Sequence, residues 1–319
     1  MSKPAEAARD APILLTMGEP AGIGPEIAVA AFHALDGHLG RRPLRLVGDT
    51  AVFHSCGKFS DDIVIATKAH AARRPGKPDP ANNAATIESI DLAVTAALVG
   101  KAAAVVTAPI NKAALAATGF GFPGHTEYLA HLTGAPRAVM MLASDRLRVV
   151  PLTVHIPIAE VPRAIHSQAI VETAEITLAV LTRDFSITRP RLAVAGLNPH
   201  AGEDGMLGDE DTRIIAPAIA ELKARGHDVR GPLSADTLFH EEARANYDAA
   251  LCMYHDQALI PIKTLSFWDS VNVTLGLPIV RTSPDHGTAF DIAGTGKADP
   301  RSMIAAIKMA ARMADARAG

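Results

Sequence analysis

Ala249-Ala250-Leu251-Cys252-Met253-Tyr254-His255-Asp256-Gln257 changes character at its midpoint. Five uncharged, mostly apolar residues give way to a run that hydrogen-bonds, titrates and binds metals. An apolar run this short, ended abruptly by polar groups, reads as a buried strand that finishes at His255. The same grammar occurs twice upstream. Leu147 to Val154 runs into His155, and Leu192 to Leu197 runs into Asn198-Pro199-His200. Between these runs the period lengthens. Ser167 to Arg183 carries apolar residues at 170, 171, 174 and 178, one face of a helix, and Glu210 to Arg225 reads as a further helix stopped by Gly226. Strands alternating with amphipathic helices define an α/β fold with a mainly parallel sheet.

In such a sheet the carboxyl ends of neighbouring strands lie along one edge, where ligands collect. His155, His200 and His255 are 45 and 55 residues apart, too far for a local metal motif, yet all three sit just past a strand. Three neutral imidazoles with an open fourth position are the ligand set of a catalytic zinc-type site. The chain holds 13 histidines, so some reach strand ends by chance, and spacing alone leaves both readings open.

The flanks continue the alternation. Ile13 to Thr16 is a strand that stops at Gly18-Glu19-Pro20-Ala21-Gly22-Ile23-Gly24-Pro25-Glu26; a helix follows, with Ile27, Ala30, Ala31 and Ala34 on one face. Pro25 suits the first helical turn, where a missing N–H costs nothing. Leu44 to Val47 and Ile63 to Ile65 are strands, and the prolines of Arg73 to Asn83 mark a surface loop. Thr86 to Val99 is a helix, Ala103 to Thr107 a buried strand, and Ala108 to Lys112 the turn after it. Gly119 to Gly124 is a flexible connector placed to cross between domains. Ala138 to Leu142 and Leu147 to Val154 form a hairpin about Ser144-Asp145, and Pro300 to Ala314 is the last helix.

At 319 residues the chain is long enough for two subdomains and needs no staples. Its apolar fraction is 48% but only 4% is aromatic, so small aliphatic side chains fill the core. A net charge of −3 gives no electrostatic case for nucleic acid or an anionic membrane. Leu92 to Ile110 is interrupted by Lys101 and Pro109 and makes no membrane span. Cys56 and Cys252 form no framework, which implies a reducing, cytoplasmic setting. Met1 to Asp10 lacks the apolar run of a signal peptide and is expected to be a short disordered tail.

Two features point to an anionic ligand. Gly124-His125-Thr126, at a helix start, offers free N–H groups and two side-chain donors, a phosphate cradle or an ordinary cap. Lys263 and Arg281 supply countercharge, Arg by bidentate pairing, and Asn272 is a further polar group between them. From Cys252 to Gly294 the chain thus reads as one wall of an active site, closed by the glycine-rich turn Asp285 to Gly296. Gly18, Gly22 and Gly24 do not form the G-x-G-x-x-G dinucleotide fingerprint.

Over nearly its whole length the sequence resembles the 4-hydroxythreonine-4-phosphate dehydrogenase family. The blocks that carry the resemblance are Met17 to Glu26, Thr107 to Lys112, Gly124 to Glu127, Asn198 to Gly202, Gly231 to Phe239, Tyr254 to Gln257 and Asp285 to Gly294. Gly22 to Glu26 and His286 to Gly294 are also similar to blocks of the isopropylmalate and isocitrate dehydrogenases. The resemblance implies a two-subdomain α/β/α fold of that kind with a non-Rossmann NAD site. It divides the chain into an NAD-side subdomain, 1–122 with 262–319, and a metal, substrate and dimerisation subdomain, 123–261.

By resemblance the metal ligands are His155, His200 and His255. The substrate contacts are His125, Thr126, Lys263, Asn272 and Arg281, and the adenosine side of NAD falls on His286, Gly287, Asp291 and Gly294. It further implies a homodimer with each site completed by its partner. The implied reaction is metal-assisted oxidation of 4-phosphooxy-L-threonine by NAD, with decarboxylation to 3-amino-2-oxopropyl phosphate, in pyridoxal phosphate biosynthesis. All-histidine ligation favours zinc or cobalt, with magnesium an alternative. Asp236 and Asp256 are candidates for the proton acceptor or for a partner of a ligating histidine.

Three rival readings stand beside this one. A paralogue would act on D-threonate or D-erythronate 4-phosphate. A phosphate acyltransferase would share the fold without needing three histidines. A zinc-stabilised binding protein would need a fourth ligand, for which Cys252 lies on the opposite strand face from His255.

Overall fold

A computed structural model describes residues 8–122 and 124–319. Most of the expected N-terminal tail, residues 1–7, and Pro123 of the expected connector lie outside the described residues. In chain order the strands are β1 (Ile13–Thr16), β2 (His38–Leu39), β3 (Arg42–Gly48), β4 (Val64–Ala66), β5 (Ala104–Val106), β6 (Val139–Ala143), β7 (Arg148–Pro151), β8 (Arg191–Ala195), β9 (Asp228–Leu233), β10 (Ala249–Cys252), β11 (Val271–Leu275) and β12 (Arg281–Pro284). The fold is mixed α/β, its strands mostly parallel, in two compact units: residues up to Ala138 with Val271–Gly319, and Val139–Ser270.

In the first unit the strand order is β2-β3-β1-β5-β12-β11, with β4 on β3. The inner pairs are parallel, and β11 with β12 is antiparallel. Leu14, Val47 and Val105 point into a core built with Ile90, Ala93, Val94 and Ala97 of the helix Asn83–Leu98. Burying each of the larger aliphatic side chains contributes roughly 1.5–3 kcal/mol. The helix Gly24–Ala34 starts with Pro25 in its first turn and buries Ile27, Ala28, Val29 and Ala31. Asn82 and Asn83, at the end of the expected surface loop, are buried: Asn82 brackets Ala72 at both its N–H and its carbonyl, and Asn83 donates to Ala114 O and Thr118 Oγ1.

In the second unit the order is β6-β7-β10-β8-β9. β6 and β7 form the expected antiparallel hairpin; β7, β10, β8 and β9 are parallel. The register pairs Cys252 with Pro151 and Leu251 with Val194, so these three strands end side by side. The β7 ladder runs on past its assigned end, with Leu152 N donating to Cys252 O at 2.8 Å and Thr153 N to Met253 O at 3.3 Å.

Several elements differ from expectation. The Glu210–Arg225 helix is split into a π turn, Asp211–Ile215, and the α-helix Ala216–Ala224. Pro217 has no N–H for the carbonyl of Arg213, and the wider turn accommodates that loss. β9, β11 and β12 lie in segments where the sequence suggested no strand, and a helix, His255–Leu265, opens at His255 itself with Pro261 inside it. Strand alternation therefore stops before His255 and says nothing about where Cys252 lies relative to it. The units also divide later than residues 122 and 261. The helix His125–Thr133 stays with the first unit because Tyr128 packs in its core and bonds Asp91. The helix His255–Leu265 stays with the second because Ala258 and Ile262 complete that core. No helix among the described residues is long and apolar enough to cross a membrane.

Candidate active site

The ends of β7, β10 and β8 deliver His155, His255 and His200 respectively. The rings of His155 and His255 face each other with centroids 5.8 Å apart. His255 Nδ1 lies 2.7 Å from Asp256 Oδ1, which orients the imidazole and leaves Nε2 for a ligand. His200 is held differently. It begins a run of left-handed backbone, with φ of 51° at His200, 53° at Ala201, 84° at Gly202, 42° at Glu203 and 54° at Asp204. Asp236 lies near His200, and that carboxyl is held below its ordinary range first by the Ser234 hydroxyl at 2.6 Å. Among the described residues no three His, Cys, Asp or Glu side chains gather into a metal-holding group. Two of the three expected ligands come together, and the third sits at the neighbouring strand end beside Asp236. Cys252 is fully buried, and burial pushes its thiol up.

A chain of buried polar groups laces these strand ends. Thr153 Oγ1 donates to Met253 O at 2.7 Å; Met253 N donates to Gln257 Oε1 at 2.7 Å; Gln257 Nε2 donates to Gly196 O at 2.7 Å. One residue on, the buried carboxylate of Asp211 accepts from Leu197 N at 2.8 Å, Asn198 N at 3.1 Å and Asn198 Nδ2 at 3.0 Å. Gly196 has no room for a side chain, since a Cβ there would stand 2.7 Å from Asp211 Oδ1 and 2.9 Å from Ala201 Cα.

In the first unit a second constellation is built on Arg281, which is 2% exposed. Its Nε and Nη2 donate to Thr107 Oγ1, and its Nη1 donates to Thr274 Oγ1 at 2.8 Å. These partners are hydroxyls, not carboxylates, and burial pulls the guanidinium down to about 9. His125 is held well below its ordinary value by burial first, then by the charges of Arg281 and Lys112. Its Nε2 is buried with no hydrogen-bond partner. Uncompensated buried charge beside an unpaired buried donor or acceptor is costly, and an anion placed there relieves both costs. His125 and Thr126 open the helix His125–Thr133, so its free N–H groups add to the same field. Asn272 lies two residues before Thr274 on β11, on the face that meets Arg281. Lys112 was not singled out from sequence; the charge it exerts on His125 reveals it. Lys263 belongs to the second unit, where its ammonium lies 5.4 Å from the Phe267 ring centroid.

The segment His286 to Gly294 is pinned from outside. Ile23 N donates to Thr288 O at 2.9 Å, and Gly294 N to Glu26 Oε1 at 2.7 Å. Gly22 permits the approach, because a Cβ there would come within 2.8 Å of Thr288 O. Glu26 is itself bound by Arg73. The loop is thereby fixed on the start of the helix Gly24–Ala34, with His286, Gly287 and Asp291 exposed.

The chain is similar to known proteins over nearly its whole length. The family model described as pyridoxal phosphate biosynthetic protein PdxA matches residues 29–310. A 4-hydroxythreonine-4-phosphate dehydrogenase of Paracoccus denitrificans is 55% identical, covering 95% of this chain and 98% of its own. One of Bradyrhizobium diazoefficiens is 49% identical over 96% of this chain and 98% of its own. The crystal structure of the Klebsiella pneumoniae 4-hydroxythreonine-4-phosphate dehydrogenase superposes with a TM-score of 0.87 at 38% identity, covering 97% of this chain and 99% of that one. A Staphylococcus aureus phosphotransacetylase, at 12% identity and a TM-score of 0.53, covers 97% of this chain and 96% of its own and shares the fold alone.

The class is that of α/β oxidoreductases that act on a small phosphorylated substrate. Within it, the chain belongs to the PdxA family of 4-hydroxythreonine-4-phosphate dehydrogenases, enzymes of pyridoxal phosphate biosynthesis.

Proposed function

We propose that this enzyme oxidises 4-phosphooxy-L-threonine with NAD and a divalent metal, releasing carbon dioxide and 3-amino-2-oxopropyl phosphate. The observation that carries the reading is Arg281, a buried cation bound to hydroxyls beside the unpaired Nε2 of His125. A phosphate monoester supplies the missing charge and the missing hydrogen-bond partner together. Arg281, His125, Thr126 and Asn272 hold that phosphate, and Lys263 is a further substrate contact. A charge held this firmly orients the rest of the substrate, the proximity part of the catalysis.

The donor set at the strand ends fits a divalent metal: two facing imidazoles, one oriented by a carboxylate, and a third histidine on the adjacent strand end. His155, His200 and His255 would hold it, and nitrogen donors favour zinc or cobalt over magnesium. Asp256 is committed to orienting His255. Asp236, held by the Ser234 hydroxyl at the strand end of His200, is the remaining carboxylate proposed to take the hydroxyl proton. His286, Gly287, Asp291 and Gly294, on the pinned loop, receive the adenosine side of NAD. When bound, the metal supplies Lewis acidity to the substrate hydroxyl and NAD supplies the oxidant. The enzyme works in the cytoplasm as a homodimer whose partner completes each site.

Following NADH formation with 4-phosphooxy-L-threonine, D-threonate 4-phosphate and D-erythronate 4-phosphate tests the substrate. Turnover confined to the sugar acids would move the assignment to the paralogous activity. Absence of NAD binding would favour a transferase.

A further inference from the structure

We propose that Gln257 and Asp211 are positioning residues that set where His255 and His200 stand relative to each other. Gln257 lies in the first turn of the helix that His255 opens. Its amide oxygen takes the N–H of Met253, the last residue but one before that helix, and its amide nitrogen holds the carbonyl of Gly196, just past β8. Both bonds are 2.7 Å, and the side chain is 8% exposed. One side chain therefore ties the backbone leading into His255 to the backbone leading into His200.

Asp211 continues the tie from the other side. It fixes Leu197 and Asn198, the two residues before Pro199 and His200. From there the chain enters its left-handed run, an arrangement that costs roughly 1–2 kcal/mol per non-glycine residue and persists only where its surroundings enforce it. Asp211 is fully buried, and its partners here are N–H groups on the segment it fixes. Thr153 completes the chain toward His155 through Met253 O. Glycine is required at 196 because the Asp211 carboxylate stands where its side chain would be. A packing role alone needs neither the bidentate use of the Gln257 amide nor a buried carboxylate, since an apolar residue of the same volume fills either space.

The inference rests on the proposed metal role of the three histidines, and the experiment separates the two. Metal-free protein is titrated with Co²⁺, followed by the visible d–d absorption, with thermal unfolding measured in parallel. Wild type and His255→Ala establish the metal site. If His255→Ala binds Co²⁺ as wild type does, the metal reading fails and takes this inference with it. If His255→Ala loses the ion, Gln257→Leu decides: the expected result is a dissociation constant raised roughly 10–100-fold, with an altered d–d spectrum. Gln257→Glu keeps the acceptor for Met253 N and loses the donor to Gly196 O; it serves if the leucine variant does not fold, and its expected affinity is intermediate.

Ser89→Ala is the structural control. Ser89 likewise accepts from one backbone N–H, that of Met17, and donates to one carbonyl, that of Val47, but in the other unit. It should lower the unfolding temperature and leave Co²⁺ affinity unchanged. Wild-type Co²⁺ affinity and spectrum in the Gln257 variants, or equal loss in Ser89→Ala, would overturn the positioning role.

Discussion

Arg281 and His125 form a pair whose charges are set by burial, and two predictions belong to them. Arg281 spreads its guanidinium over Thr107 and Thr274, a forked arrangement that a lysine ammonium cannot reproduce. Charged hydrogen bonds are worth about 1.5–3 kcal/mol, so Arg281→Lys should raise KM for the phosphorylated substrate roughly 10–100-fold. It should also abolish the rise in unfolding temperature that inorganic phosphate gives the wild type. An unchanged KM would remove Arg281 from the phosphate site.

His125 predicts a pH dependence. In the unfolded chain an imidazole takes its proton near pH 6.5, and folded His125 takes it only well below. Between those values the unfolded state holds more protons, so this group contributes a loss of stability as pH falls through 6.5. In phosphate-free buffer, urea midpoints of His125→Asn should therefore fall less steeply with acid than those of wild type. Parallel curves would place His125 outside the buried field of Arg281. Residues of this kind were half legible from sequence. His155, His200 and His255 stood out because each follows an apolar run. Gln257 did not, because Gly196, which it holds, is 61 residues away.

At the scale of elements, alternation of apolar runs with amphipathic stretches located the parallel strands that matter for the site. It failed where a local rule was overridden by packing. The helix His255–Leu265 contains Pro261, which argues against a helix on its own, yet Ala258 and Ile262 are buried and hold it in place. β9 is a half-exposed edge strand with Gly231 and Pro232 inside it, and so lacks the apolar signature. The left-handed turn after Pro199 was invisible for a further reason: His200, Ala201, Glu203 and Asp204 carry no preference for positive φ strong enough to announce it. That turn supplies its own test. Glu203 is exposed, has φ of 42°, and makes no bond to the strand-end network. Glu203→Gly should stabilise the protein by up to about 1 kcal/mol, because glycine takes this conformation without steric cost and gives back part of the gain as unfolded-chain entropy. Urea unfolding measures it, and a loss of stability would show that the Glu203 side chain itself holds the turn.

For the whole molecule, the distribution of exposed apolar surface predicts the state of assembly. Large hydrophobic side chains exposed singly are ordinary in a monomer. Here, among the described residues, seven of the nine are in residues 139–270: Ile156, Ile158, Met206, Leu207, Ile260, Phe267 and Trp268. Ile158 is 66% exposed, Met206 83% and Ile260 63%, apolar area that a partner surface would take out of water. The family resemblance supplies an occupant for such surface, a second copy of the chain. The expected mass in solution is thus twice 33.4 kDa. Trp268 is the single tryptophan and lies within this apolar set at 47% exposure, so its fluorescence reads the association directly. On dilution through the dissociation range, emission should shift to the red as Trp268 gains water, in step with the loss of the dimer by light scattering. Ile158→Asp and Ile260→Asp each place a charge where an apolar contact is expected, and should bring that shift to higher protein concentration without unfolding the chain. A monomeric wild type at micromolar concentration, with the same tryptophan emission as the aspartate variants, would refute the assignment of this surface to self-association.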